Sequence, residues 1–79
     1  MQIRYSPHAV DRMTERKIST SDVESILTRP DGVIRQSVDK LVLYKKLEAR
    51  GDNAISVVAV DQNNGFEVVT VMVNFEVRE

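Results

Sequence analysis

The sequence predicts an α+β domain, two N-terminal helices packed on one face of a four-stranded antiparallel meander, and three observations carry that prediction. Apolar residues recur at helical spacing between Ala9 and Leu27, the period switches to strict alternation after Asp31-Gly32, and turn-forming residues punctuate the alternating part. Strands that follow one another through short turns close as a meander, and the preceding helices must bury their apolar stripes against one of its faces.

Each element has a local reason. Met1 to Tyr5 alternates Ile3 and Tyr5 with Gln2 and Arg4, which fits either a short edge strand or an extended arm laid across the helices. Ser6 offers a capping hydroxyl and Pro7 suits the first helical position, where a missing N–H leaves nothing unpaired, so a first helix is expected from Ser6 to about Lys17. Ser19 or Thr20 caps a second helix, with Asp22 completing a capping box around Ser19, and Pro30 ends it by driving its predecessor out of the helical region. Strands are then expected over Val33 to Val38, Leu41 to about Ala49, Ala54 to Asp61 and Phe66 to about Val77. The turns between them are Asp39-Lys40, Arg50-Gly51-Asp52-Asn53 and Gln62-Asn63-Asn64-Gly65. The last two strands carry valine on both faces, and the final one is expected at the centre of the core. Two helices cannot cover both faces of such a sheet, so apolar surface is expected on the second face, with Phe66 or Phe75 and Tyr44 as its members.

A chain of 79 residues makes one domain, 1–79, whose core must be used efficiently. With no cysteine and a single histidine, neither a disulfide framework nor a structural zinc site is expected, and no nucleotide or phosphate-loop fingerprint points to a cofactor. No apolar signal core and no apolar run of membrane-spanning length is present, so a cytoplasmic protein without membrane contact is the expectation. The net charge of −1 gives no general attraction to nucleic acid, but it is unevenly spread. Residues 1–50 carry ten Lys and Arg against seven Asp and Glu, whereas residues 51–79 carry one against five. The N-terminal half therefore sets up a local positive field suited to an anionic partner.

The residues that could carry chemistry are gathered in the first helix. At about 100° per residue, His8, Arg12 and Arg16 form one stripe, with Glu15 beside it and Ala9, Met13 and Val10 on the adjoining face. An imidazole can move a proton near neutral pH, and guanidinium groups can hold a phosphate and the charge of its transition state. RNA cleavage without a metal asks for little more than these. The competing reading is a solvated helix flank, with the arginines paired to Glu15, Asp11 or water. Lys45, Lys46, Arg35 and Arg50 could touch a nucleic-acid backbone beside Tyr44, or could simply guard a sheet edge against aggregation. Thr70, inside the most apolar strand, could orient His8 or touch a ligand, or could be an ordinary β-branched strand residue.

The run from Tyr5 to Ser19, with His8-Ala9, Arg12-Met13, Glu15-Arg16 and Ile18, followed by Pro30 and by Val68-Val69-Thr70, resembles a family of small bacterial proteins of unknown function. That family is similar to the RelE-like and BrnT-type toxins of the barnase, EndoU, colicin and RelE grouping. The resemblance implies a metal-independent ribonuclease with His8, Arg12, Arg16 and Thr70 as its site, RNA as its substrate and a small antitoxin protein as its partner. The alternative is a catalytically silent module whose half-covered sheet docks another protein or a second copy of the chain.

Overall fold

The computed structural model describes residues 2–47, 54–62 and 64–75, the last two by their backbone alone. The described residues form an α+β fold of seven elements: β1 (Gln2–Tyr5), α1 (Pro7–Arg16), α2 (Thr20–Thr28), β2 (Gly32–Arg35), β3 (Lys40–Lys45), β4 (Ala54–Gln62) and β5 (Gly65–Phe75). The strands form one five-stranded sheet in the order β1-β5-β4-β3-β2. The meander from β2 to β5 is antiparallel as expected, but β1 joins the edge of β5 in parallel, so the sheet is mixed and has five strands rather than four.

The added strand has a specific cause. Gln2 pairs with Gly65 and Tyr5 with Val68, and the Gln2 N–H donates to the Asn64 carbonyl at 2.8 Å. This approach needs a residue without a side chain at position 65, where a Cβ would lie 1.7 Å from the Gln2 carbonyl oxygen. Alternation in β1 is kept: Ile3 and Tyr5 pack against the core while Gln2 and Arg4 are exposed.

Both helices lie on one face. Ala9 and Met13 of α1, Ile18 of the connection, and Val23, Ile26 and Leu27 of α2 close over Leu41, Leu43, Ile55, Val57, Ala59, Val68 and Val71. The longest buried run belongs to β4, from Ile55 to Ala59, rather than to the final strand. Phe66 packs against the helix-side core, which removes it from the second face. Tyr44 does lie on that second face, its ring occupying the space that a Cβ on Gly32 would need. Two expected strand ends shift. β2 stops at Arg35, not Val38, because the backbone of residues 36–39 turns back on Lys40 and the Arg35 guanidinium bonds the Val38 carbonyl at 2.6 Å. β3 is described as far as Lys45; the Arg50–Asn53 turn, Ala49 and Val77 lie outside the described residues.

Caps behave as their sequences imply. Ser19 and Asp22 form the reciprocal capping box, and Arg29 closes α2 just before Pro30. Lys17 ends α1 in the left-handed region at φ 58°, its N–H turned back to the carbonyls of Met13 and Thr14.

Tyr5 has a cost built in. Its hydroxyl is buried with no bonding partner among the described residues, and burial, with Glu24 adding repulsion, raises the phenol above its ordinary value. A raised folded value means the folded chain holds this proton more tightly than the unfolded one. The contribution is therefore whole below about pH 10 and is lost as the pH rises through the folded value. Tyr5→Phe is expected to match or exceed the parent in stability at neutral pH, by up to about 1 kcal/mol, and to flatten the alkaline loss. Thermal unfolding followed between pH 7 and roughly 11 checks both, and a variant clearly weaker at neutral pH would contradict the assignment of a wasted hydroxyl.

Candidate functional site

Ser6 sets the geometry of the site. Its hydroxyl accepts from the Ala9 N–H at 3.0 Å, capping α1, and donates to the Val69 carbonyl at 2.9 Å. Its own N–H donates to the Val68 carbonyl at 3.0 Å. One residue thus pins the start of the helix to β5. It does so where β5 carries a bulge: Ala59 is opposite Val68 and Val58 opposite Thr70, leaving Val69 as the extra residue.

From that junction α1 and β5 run on side by side. Ala9, fully buried, and Met13 seat the helix on the sheet, which turns His8, Arg12 and Arg16 toward the margin of β5. His8, Arg12, Arg16, Thr70, Val71, Met72 and Val73 line one open groove of about 520 Å³. The stripe from His8 to Arg16 covers about 12 Å at helical rise, and Thr70 to Val73 about 10 Å of strand, so the two walls are of similar length. The four residues proposed from the sequence are brought together.

Their surroundings differ. His8 is exposed in the first turn of α1, and no described residue bonds its ring. Glu15 lies between the two arginines, 3.4 Å from Arg12 and 3.9 Å from Arg16, with all three side chains 40–56% exposed. Pairs this exposed add little stability, but they hold the guanidinium groups in a row along the groove. Thr70 stands opposite Val58 and so projects to the face away from the helices, bordering the groove without bonding His8. The cations of the next two strands do not join. Arg35 is on β2 and Lys45 on β3, toward the other side of the sheet, where the Lys45 ammonium bonds the Arg29 carbonyl at 2.9 Å. Among the described residues no three of His, Asp or Glu gather as a metal site would require. Nor is any helix among them long and apolar enough to cross a membrane.

The sequence profile of a domain of unknown function (DUF4258) matches residues 5–73. The chain belongs to this family. The match begins at the residue that ends β1 and stops within β5, so it contains both walls of the groove. Neither a curated protein nor a solved structure gives a significant match. Missing from the sequence reading were the contribution of Ser6 to β5 and the whole strand wall from Val71 to Val73. The i, i+4, i+8 stripe announces itself within one helix, whereas its strand neighbour is fixed by a pairing that spans most of the DUF4258 domain.

Proposed function

We propose that this DUF4258 domain is a ribonuclease of the RelE-like and BrnT-type kind that its opening motif resembles, working without a metal and held in check by a small antitoxin protein. The observation that carries this reading is the convergence of one imidazole, two guanidinium groups and Thr70 on a single groove open to water. Arg12 and Arg16 hold the phosphodiester and neutralise the extra negative charge of its transition state. His8 takes the proton from the ribose 2′-hydroxyl, whose oxygen forms a new bond to phosphorus as the bond from phosphorus to the 5′ oxygen breaks. The leaving oxygen takes a proton from water in the groove, and the products are a 2′,3′-cyclic phosphate and a 5′-hydroxyl end.

The test uses purified protein and a labelled single-stranded RNA. The wild type is expected to cut it, and a 2′-deoxy nucleotide at the cut position to block the cut. His8→Ala should slow cleavage by about 100-fold or more while shifting Tm by no more than about 2 °C, because the ring is exposed. Wild-type protein that leaves RNA intact and does not slow growth when expressed without its neighbouring small reading frame would overturn the proposal.

A further inference from the structure

We infer that the margin of β5 beyond β1 is a strand-addition site for an extended acidic segment of another protein. β1 pairs only with Gly65 to Val68, whereas β5 continues to Phe75. The carbonyls of Val68 and Val69 both face the β1 side, where Ser6 bonds them. After the bulge, strand alternation as far as Met72 directs the N–H and C=O of Val71, and the N–H of Val73, to that same side. On that side no described residue bonds either backbone. Open pairing groups next to a groove are a template for one more strand, in the line that β1 leaves when Pro7 turns the chain into α1.

The charge beside this margin selects the guest. Side chains of an added strand alternate between two surroundings. On the helix side they meet His8, Arg12 and Arg16, with Glu15 the carboxylate between the arginines; on the far side they meet Thr70 and Met72, the latter 39% exposed. A segment that alternates acidic residues with apolar or β-branched ones satisfies both. A second copy of this chain fits poorly, because pairing β5 with β5 would set two cationic stripes against each other on the same face of the joined sheet. The outer margin of β2 also has no strand partner among the described residues, but it is short and has no such stripe beside it.

The test uses the whole chain and a fluorescent peptide of about eight residues alternating glutamate with valine. It should bind at least about tenfold more tightly than the lysine–valine counterpart, and Arg12→Glu with Arg16→Glu should reverse that preference. Methylating alternate backbone nitrogens should abolish binding for one of the two possible sets and spare it for the other, a result that contact by charge alone cannot give. Bound peptide should also slow amide hydrogen exchange at Val71 and Val73. Equal effects of the two methylated sets, protection on β2 instead, or a homodimer joined through β5 would each overturn the inference. No arm reads RNA cleavage, so the inference stands or falls apart from the proposed activity.

Discussion

Gly65→Ala is expected to pull β1 away from the sheet and to cost about 3 kcal/mol, lowering Tm by about 15 °C. The added carbon would fall 1.7 Å from the Gln2 carbonyl oxygen and within 2.8 Å of the Gln2 nitrogen, both backbone atoms held by the strand pairing, so relief requires the strand itself to move. The backbone at Gly65, φ 156°, adds to the strain. Ile3 and Tyr5 would leave the core with it, and Ser6 would lose its register on β5. Gly32→Ala is the control. There the clash is with the end of the Tyr44 side chain, which can swing aside, and the loss should be about 1 kcal/mol or less. Parallel denaturant titrations of the two variants check the contrast, and equal losses would show that β1 is not anchored at Gly65.

Ser6→Ala should cost about 1–2 kcal/mol, from the lost cap and the unpaired Val69 carbonyl, and should lower RNA cleavage by more than the small unfolded fraction explains. Ser6 touches no substrate in the proposed reaction; it positions the stripe against β5. Two further variants separate its tasks. Ser6→Thr keeps both an acceptor and a donor and should restore cleavage. Ser6→Asp keeps the cap but cannot donate to Val69, so it should recover the stability of α1 without recovering cleavage. Stability measured in urea beside the cleavage rate distinguishes the cases, and an aspartate variant as active as wild type would mean that the tie to Val69 does not set the groove.

These two residues also show what the sequence could and could not reveal. Ser6-Pro7, Ser19 with Asp22, and Pro30 act within a few residues of themselves, so both helices are legible with nearly their observed ends. The meander is legible because its partners follow one another in the chain. The partner of β1 is not, since alternation from Met1 to Tyr5 fits an edge strand and an extended arm equally and carries no information about Gly65 to Val68, more than 60 residues away. The candidate site divides in the same way. His8, Arg12 and Arg16 share a stripe by helical geometry alone. Strict alternation would group Val69, Val71 and Val73 on one face and Val68 and Thr70 on the other, whereas Val68 and Val71 share the core. The extra residue at Val69 breaks that parity, and no local signal announces it.

That extra residue separates two reading frames along Gly65 to Met72 of β5. Ahead of Val69 the inward positions are set by contact with Ala59, and beyond it by contact with Val57. Losing Val69 would leave Val68 opposite Ala59 and Thr70 opposite Val58 with nothing between them, a regular ladder in which both keep their present faces, but the carbonyl that accepts from the Ser6 hydroxyl would go with it. The additional residue therefore serves the joint between sheet and helix rather than the sheet's own ladder.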